Sequence, residues 1–562
     1  MNYMKEIVMK NKIVAVIYLA AGIWISFLTN YKIKYFQKVI DDFTGDTLTS
    51  KSILIYGVIL IIFYLGNYLD EYPGKKLEHG IYLDFKLLSL KKVSKIDYLD
   101  YQSLGTGKLT QKIENGSNAG KSILFDFWFC LLRQLAPTIC FSIFFIWRIN
   151  RTVTYVILIG YVIVFIITNL LLKVLYQIKE KILNNEEKLN HYLVRGFMEM
   201  VVFRLERRFP SEIYKAAKAR DEIVNSKVKM NLIHEAFFTI FALLVALLNV
   251  GVLLYAWHNK TLTVGSVIAL ISLIENAYTP IAIFNVLFVQ YKLDKETYKR
   301  FEAFLKLKDD PQLEEGKIIQ KLSGEIRVEN LSFAYGNKNI FRNLNLEIRP
   351  GEKVAFVGAS GSGKTTLIKI IIGLLKYKSG NVKLDGEEIS NLGLNHLYEN
   401  LSYISQDTPV FDGSVKENIV FDQEVEDSFV KEALEKVKLY PTIKKMKAGI
   451  NTMVGEKGIT LSGGERQRLA LARLWFQKNN LVILDEATSA MDNLTEEAVM
   501  NEVIHLLSGK TVLAIAHRLS SIKGFDRIVV FRDGEIAGQG TFLELMEHNT
   551  YFAELYKISA LS

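Results

Sequence analysis

The sequence predicts two domains of different class: an all-α domain with six membrane-spanning helices, followed by an α/β domain. Three observations support this division. Of the 562 residues, 50 % are hydrophobic and 12 % are aromatic, which is a high share for a soluble protein. The long apolar runs all lie before residue 291. After residue 323, short apolar strands alternate with helical patterns and glycine-rich turns, as in α/β folds.

The apolar runs are interpreted as six membrane-spanning helices. They lie at about residues 13–29, 53–69, 127–147, 153–175, 236–257 and 264–290. A hydrocarbon core of about 30 Å requires roughly 20 apolar residues in helical form, and flanking aromatic residues extend the two shortest runs toward this length. The predicted membrane domain covers residues 1–308. A linker at residues 309–323 separates it from the α/β domain at residues 324–562.

The connections after the second and fourth spans differ from the others. Residues 72–126 and 176–235 are long, polar and helix-patterned, and both are rich in lysine and arginine. Because basic connections stay preferentially in the cytoplasm, both are predicted to be cytoplasmic, on the same side as the α/β domain. The abundance of Ile, Lys and Asn is typical of a bacterium with an A+T-rich genome. A multi-pass protein of the bacterial cytoplasmic membrane is therefore expected.

The charge distribution and the cysteines exclude several classes of protein. The net charge is +9, but residues 1–315 hold 39 Lys and Arg against 29 Asp and Glu, whereas residues 316–562 hold 30 against 31. The basic excess thus lies in the apolar half, which favours cytoplasmic loops beside a bilayer over a nucleic-acid surface. Cys130 and Cys140 would lie about 15 Å apart along one helix. That distance excludes a disulfide, and no metal-ligand cluster is expected.

A glycine-rich stretch at residues 358–366 predicts a phosphate site. It reads Gly-Ala-Ser-Gly-Ser-Gly-Lys-Thr-Thr, follows an apolar strand and opens an amphipathic helix, which is the arrangement of a P-loop. Glycines allow backbone N–H groups to point at phosphate oxygens, and the helix N-terminus adds partial positive charge. Lys364 can reach the β- and γ-phosphates, and the Thr365 hydroxyl can ligate Mg²⁺. The predicted nucleotide-binding residues of this loop are Gly358, Ser360, Gly361, Ser362, Gly363, Lys364, Thr365 and Thr366.

Further candidate residues follow strands or open a helix. After the P-loop, in chain order, they are Gln406 at a strand end, Leu461–Glu465 before a long helical run, Asp485 and Glu486 after four apolar residues, and His517 after the strand at residues 511–516. Before the P-loop, Tyr335 ends a strand, where its ring could stack on an adenine. Carboxylates at the end of a buried strand near a P-loop are suited to hold Mg²⁺ through water.

In this order, the motifs resemble the nucleotide-binding domain of the ATP-binding cassette (ABC) transporters. The Leu-Ser-Gly-Gly signature at residues 461–464 distinguishes this family from other P-loop ATPases. The six spans with two long cytoplasmic connections resemble the exporter-type membrane domain of the same family. The departures are small, with Met491 where Leu is usual and Glu465 where Gln is common. The resemblance covers nearly the whole chain and implies ATP and Mg²⁺ as cofactors.

The resemblance also implies roles for the candidate residues. Glu486 would polarise the attacking water, His517 would contact the γ-phosphate, and Lys364 would complete the catalytic set, since phosphoryl transfer depends mainly on positioning and charge stabilisation. The residues implied to hold Mg²⁺ are Thr365, Gln406 and Asp485.

The signature residues Ser462, Gly463 and Gly464 would face a γ-phosphate held by another subunit. One chain carries one P-loop and one signature, so a head-to-tail dimer with a second copy of the chain is expected. Contacts between membrane domain and cassette are expected near Ile113–Gly120 and Phe203–Glu212. The implied function is ATP-driven export by alternating access.

The cargo is open among peptides, drug-like amphiphiles and lipids, and membrane lipid surrounds the spans. Glu275, near the middle of the sixth span, is expected either to bind cargo or a proton or to form a buried hydrogen bond. Arg133 is expected to contact cargo or to extend to the interface. Two alternatives to a homodimeric exporter are an ATP-gated sensor or channel, and one half of a heterodimeric transporter. Intact Glu486 and His517 argue against the gate.

Overall fold

The computed structural model describes residues 2–198, 200–260, 262–406, 408–455, 461–516, 518–519 and 521–561. The chain forms two compact units. The helical unit consists of Met1–Ser94 and Ser103–Lys308, and the α/β unit consists of Lys95–Gln102 and Asp309–Ser562. The expected fold class, a helical domain followed by an α/β domain, is confirmed.

The helical unit is built from long helices joined by short turns. They are α1 (Asn2–Lys10), α2 (Lys12–Thr44), α3 (Ser50–Val93), α5 (Thr106–Lys121), α6 (Ala136–Ile149), α7 (Arg151–Met198), α8 (Met200–Leu205), α9 (Phe209–Asn259) and α10 (Val264–Leu305). Between α3 and α5, most of the short helix α4 (Tyr98–Leu104) belongs to the α/β unit. Between α5 and α6 the chain continues as π-helix over Ser122–Phe129 and Leu131–Leu135.

Within the described residues, five helices are long and apolar enough to cross a membrane. They are Lys12–Thr44, Ser50–Val93, Leu109–Ile149, Phe209–His258 and Val264–Leu305. These helices contain five of the six predicted spans. The remaining span, residues 153–175, falls in α7, where the apolar part Arg151–Ile163 is described but several side chains between residues 164 and 173 are not. The long predicted connections are largely continuations of the spanning helices.

The last helix of the helical unit, α10, forms much of its core. Its residues Leu270, Leu273, Ile274 and Ala277 are completely buried, because they face neighbouring helices rather than the outside. Tyr278 is also completely buried, and its hydroxyl donates a hydrogen bond of 2.9 Å to the carbonyl of Ile157. An apolar helix with this much buried surface is stabilised mainly by side-chain packing.

The segment Lys95–Gln102, between α3 and α5, packs with the α/β unit. Asp310 N–H donates to the Lys95 carbonyl at 2.7 Å, and the Tyr98 ring packs on the α/β core with the Lys369 ammonium 5.6 Å from its centroid. The contact of Ile113–Gly120 with a cassette stays a prediction. Helix α3 continues as one 44-residue helix, and the turn that follows it begins at Ser94.

Residues 113–120 lie inside α5 and pack within the helical unit. A Cβ atom on Gly116 would lie 2.2 Å from the Phe301 ring, which leaves room only for glycine. The second expected contact segment, Phe203–Glu212, covers the end of α8 and the start of α9 in the helical unit. Its contact with a cassette stays a prediction.

The α/β unit contains two sheets. The strands are β1 (Ile326–Tyr335), β2 (Lys338–Ile348), β3 (Lys353–Gly358), β4 (Ser379–Leu384), β5 (Glu387–Glu388), β6 (Leu401–Ile404), β7 (Leu481–Asp485), β8 (Thr511–Ile515), β9 (Arg527–Arg532) and β10 (Glu535–Gly540). The four-stranded sheet has the order β2-β1-β4-β5 and is antiparallel. The six-stranded sheet has the order β10-β9-β3-β8-β7-β6, and all its pairs except β9-β10 are parallel.

Nine helices are described in the α/β unit in addition to α4. They are α11 (Lys364–Ile371), α12 (Leu394–Glu399), α13 (Val415–Val420), α14 (Asp427–Lys436), α15 (Tyr440–Lys444), α16 (Gly463–Ala472), α17 (Asn493–Leu506), α18 (Phe542–His548) and α19 (Thr550–Leu561). Strands β7 and β8 are buried along their whole length, as expected for parallel strands covered on both faces. Their carboxyl ends meet at one edge of the sheet, where ligand sites of open parallel sheets are found.

A buried ion pair holds the start of α17. The Glu496 carboxylate accepts a hydrogen bond of 2.8 Å from Arg518 and another of 2.8 Å from the Thr488 hydroxyl. The Glu496 side chain is only 4 % exposed, so water cannot replace either partner. Arg518 also donates to the carbonyl of Met491. Residues 488–491 are thus tied to α17 from two sides.

We expect Glu496→Ala to lower the stability of the α/β unit by about 3 kcal/mol, because it leaves the Arg518 guanidinium without its carboxylate. The apparent melting temperature of the detergent-solubilised protein should fall by about 6 °C. Glu497→Ala removes a neighbouring exposed carboxylate and should change stability by less than about 0.5 kcal/mol. Equal melting temperatures for the two variants would contradict the role of the ion pair.

The candidate nucleotide site

The loop at residues 358–363 joins β3 to α11 and adopts a conformation that requires glycine. The φ values of its glycines are +145° at Gly358, +81° at Gly361 and +106° at Gly363. Residues that carry a Cβ atom rarely adopt such angles. A Cβ atom on Gly358 would lie 2.1 Å from the Phe531 carbonyl oxygen, and one on Gly363 would lie 2.5 Å from the Phe341 ring. The loop therefore folds tightly back over the sheet edge, as a phosphate-wrapping loop must.

Lys364 begins α11 and lies under this loop. Its ammonium donates hydrogen bonds of 2.8 Å to the Gly358 carbonyl and 2.9 Å to the Ala359 carbonyl. The residue is 5 % exposed, and burial lowers the pKa of its ammonium because the charged form loses hydration. The partners of this buried cation are two neutral carbonyls and the Ser362 hydroxyl. Because none of them carries a negative charge, an anion such as a phosphate can replace them as the stronger partner.

Asp485 ends β7 and is completely buried. Burial raises the pKa of its carboxyl, while hydrogen bonds donated by the Thr365 and Tyr403 hydroxyls, each 3.3 Å long, favour the charged form. A hydroxyl beside a carboxylate offers the oxygen ligands that Mg²⁺ prefers, so the predicted pair Thr365 and Asp485 fits this ion. Among the described residues, no group of three or more His, Cys, Asp or Glu could hold a metal by itself.

Glu486 follows Asp485 and has a strained backbone. Its φ is +52°, in the left-handed region that costs energy for a residue with a side chain. Its N–H donates to the Ile515 carbonyl at 3.2 Å, and its carboxylate accepts a 2.6 Å hydrogen bond from the Gln406 side-chain amide. Gln406 thus lies at the candidate catalytic carboxylate. His517, the third predicted catalytic residue, lies outside the described residues.

The signature stretch forms the N-terminus of α16. Ser462 caps this ten-residue helix and forms a reciprocal capping box with Glu465. Burial alone would raise the pKa of Glu465, but hydrogen bonds from the Ser462 N–H and hydroxyl, each 2.8 Å, keep the pKa of Glu465 below its usual value. The departure from the more common Gln therefore gives the signature an ionised cap.

Other predicted residues have clear surroundings. Tyr335 ends β1 with 38 % of its surface exposed, and its ring is perpendicular to the Phe333 ring. Glu275 is exposed on α10, and no buried structural hydrogen bond of its side chain is found in the described structure. Arg133 forms an ion pair with Asp70, and its guanidinium lies 4.1 Å from the centroid of the Tyr18 ring. Arg133 thus has partners inside the helical unit instead of at an interface.

Several residues at the site were not predicted. Tyr403 bonds Asp485, and Gln467 of α16 bonds the backbone beside Glu486. Gln467 is 5 % exposed on the same helix face as the buried Ala470 and Leu471. A glutamine on the apolar face of an amphipathic helix is a detectable signal, because buried amides need partners. Which partner it finds depends on the tertiary fold.

We expect Asp485→Asn to raise the melting temperature of the protein at pH 7 when no nucleotide is added. A folded-state pKa above the unfolded value of about 3.9 means that ionised Asp485 costs stability as the pH rises through this interval. The gain over the wild type should therefore be small at acidic pH and larger at neutral pH. Thermal unfolding across this pH range checks the sign. Asp422→Asn, at an exposed carboxylate, should give no such gain, and a lower melting temperature for Asp485→Asn would contradict the burial cost.

Comparison with known proteins gives two family matches. Residues 12–280 match the ABC transporter transmembrane region, and residues 341–489 match the family described as ABC transporter. An ATP-dependent lipid A-core flippase of Alcanivorax borkumensis is 26 % identical over 535 residues, covering 92 % of this chain and 91 % of the relative.

Other relatives match mainly over part of the chain. An uncharacterized ABC transporter ATP-binding protein, YwjA, of Bacillus subtilis is 34 % identical over 300 residues, covering 53 % of this chain and 52 % of the relative. An ATP-dependent lipid A-core flippase of Burkholderia thailandensis is 38 % identical over 263 residues, covering 46 % and 44 %. For these two relatives the chain spans about half of their length or less.

A solved structure of a bacterial Atm1-family ABC exporter with ATP bound superposes with a TM-score of 0.79 at 22 % identity, covering 98 % of each chain. This likeness shows the fold. The matched membrane region, the matched cassette and the P-loop, signature and carboxylate geometry agree with one another. The chain belongs to the ABC transporters.

Proposed function

We propose that this chain is a half-transporter that hydrolyses ATP to drive export through its membrane helices. The observation that carries the proposal is the arrangement at the carboxyl edge of the parallel sheet. There Lys364 follows β3, the carboxylates of Asp485 and Glu486 lie at the end of β7, and Gln406, whose amide holds Glu486, follows β6. A cation, a metal-binding carboxylate and a second carboxylate at one edge supply the positioning and charge that phosphoryl transfer requires. The helices of the helical unit that are long enough to span a membrane supply the transport half.

The residues of the chain divide the work of hydrolysis. The Lys364 ammonium leaves the Gly358 and Ala359 carbonyls to bind phosphate oxygens, while the loop N–H groups bind the others. Thr365 and Asp485 would hold Mg²⁺, which would supply positive charge beside the phosphates. Glu486 orients the water and accepts its proton, and Gln406 fixes the direction of the Glu486 carboxylate. His517 is proposed to contact the γ-phosphate.

The active form is proposed to be a homodimer with two composite sites. Each chain carries one P-loop and one signature, and Ser462–Gly464 lie at the N-terminus of a ten-residue helix, where N–H groups and the helix dipole favour an anion. In this arrangement, the P-loop of one copy and the signature of the other enclose one ATP. Both Glu486 and the signature are intact in this chain, so neither site of a homodimer is degenerate.

The cargo is proposed to be a hydrophobic or amphipathic compound, and the flippase relatives favour a lipid within this class. Glu275 is exposed on α10, in the middle of its apolar part. An ionisable side chain at this depth in a bilayer costs free energy, and such residues usually have a role in transport. It is the residue of the helical unit proposed to meet a polar or cationic group of the cargo. The proposed location is a bacterial cytoplasmic membrane with the α/β unit in the cytoplasm.

We expect Glu486→Gln to reduce ATP hydrolysis by the protein in lipid vesicles at least about 100-fold, because it removes the proton acceptor. The dissociation constant for ATP should change by less than about threefold, since Lys364 and the loop are unchanged. Glu497→Gln at an exposed site is the matched control and should retain full activity. Retention of hydrolysis by Glu486→Gln would overturn the assignment.

We expect the wild-type protein in lipid vesicles to move a fluorescent lipid or an amphipathic dye against the concentration gradient of that compound when ATP is supplied. A channel or sensor can only let such a compound run downhill, so uphill movement separates a pump from an ATP-gated pore. Stimulation of hydrolysis should be measured across peptides, lipids and drugs and repeated with Glu275→Ala, which should lower the stimulation without changing basal hydrolysis. Downhill movement alone would contradict active export.

A further inference from the structure

Gln467 lies in α16, five residues after the signature serine, and its side chain is buried. Only 5 % of the residue is exposed, and it shares its helix face with the buried Ala470 and Leu471. A buried amide costs free energy unless its donors and acceptor are bonded. Its partners therefore identify the contact that the side chain makes.

All three hydrogen bonds of the Gln467 side chain go to one short stretch, residues 486–490. Its oxygen accepts from the Ala490 N–H at 2.8 Å. Its NH₂ group donates to the Ser489 hydroxyl at 3.0 Å and to the Glu486 carbonyl at 3.4 Å. One amide thus fastens the backbone that follows the proposed catalytic carboxylate.

The backbone of Glu486 needs such support, because its φ of +52° is strained. Its N–H is held by the Ile515 carbonyl and its carboxylate by Gln406. Gln467 and the N–H of Ser489, at 3.3 Å, hold its carbonyl. Without the Gln467 amide, the backbone of Glu486 can relax, and the carboxylate would then turn away from its position.

The same stretch also touches the signature. A Cβ atom on Gly464 would lie 2.8 Å from the Ala490 carbonyl oxygen, so residue 490 lies directly on the start of α16. Helix α16 is continuous from Gly463 to Ala472, and a helix of this length moves as one body. Gln467 therefore links the signature helix to the backbone of Glu486, so that a displacement of one is passed on to the other.

We propose that Gln467 is a positioning residue that couples the two composite sites of the dimer. This inference rests on the proposed function. Within one copy, Glu486 serves the ATP on its own P-loop, whereas Ser462 and Gly464 serve the ATP on the partner's P-loop. Because Gln467 binds the backbone of Glu486 from the helix that begins at the signature, closure of the signature on one ATP sets the carboxylate at the other.

Mixed dimers test this coupling. Two differently tagged copies are co-expressed, and the dimer carrying both tags is purified in lipid. The reference dimer pairs a wild-type copy with a Glu486→Gln copy and has one competent site. Gln467→Met, which keeps the side-chain length but removes the amide, is then added either to the wild-type copy or to the Glu486→Gln copy.

When Gln467→Met lies on the copy with intact Glu486, it weakens the carboxylate of the working site. When it lies on the Glu486→Gln copy, the working site takes its signature from the altered copy. The helix of that signature has then lost its bonds to residues 486–490 of its own copy, and because coupling is reciprocal, the signature loses its positioning as well. We expect both arrangements to lower kcat at least about tenfold from the reference, about the effect of one lost hydrogen bond that supports a reacting group, with KM for ATP within about twofold. A loss only in the first arrangement, or in neither, overturns the coupling.

Two controls separate coupling from misfolding. Hydrolysis is measured well below the melting temperature of each dimer, so that a variant of lower stability is still folded. Gln467→Glu retains the acceptor for the Ala490 N–H but cannot donate to the Glu486 carbonyl, so it should still show both losses, although its buried carboxylate lowers the melting temperature. Gln423→Met, at an exposed glutamine, should leave the reference activity unchanged. A reference dimer that is no more active than the Glu486→Gln homodimer would contradict the proposed pair of working sites and, with it, this inference.

Discussion

The parallel pairing of β7 with β8 determines where the chemistry of this protein takes place. Asp485 stands beside Ile515 in the register, and the Glu486 N–H continues the ladder to the Ile515 carbonyl. Because β3 pairs with β8 on its other side, the P-loop, the two carboxylates and the end of β8 share one sheet edge. A slip of one residue would exchange the completely buried Asp485 and the half-buried Glu486. The remaining contacts of the site depend on this register.

Charge burial is the cost of this arrangement. Lys364 and Asp485 are both buried from water. The hydrogen-bond partners of each are neutral carbonyls or hydroxyls rather than groups of opposite charge. Such groups lose hydration without gaining a full Coulombic partner. The site is therefore less stable than an apolar one of the same shape would be, and a bound triphosphate with its cation relieves both deficits together.

The contiguous motifs could be predicted from the sequence because local chemistry determines them. The P-loop needs glycines at positive φ, and Ser462 needs only Glu465 three residues later to cap α16. Contacts between distant segments could not be predicted. The bonds of Gln467 and Arg518 require knowledge of the fold. The assignment of Lys95–Gln102 to the α/β unit could not be predicted either, because a polar helical pattern does not reveal where the helix ends. Arg133 likewise found Asp70, which no pattern indicated.

The hydrogen bonds of Lys364 have a consequence for affinity. Its ammonium is bonded to two carbonyls of the loop that is proposed to wrap the phosphates. Binding of a phosphate by this lysine is therefore an exchange of partners, and the measured dissociation constant reports only the difference between the two sets of partners. Because the same carbonyls accept the ammonium whenever a phosphate leaves, nucleotide exchange leaves no unpaired cation in the buried loop.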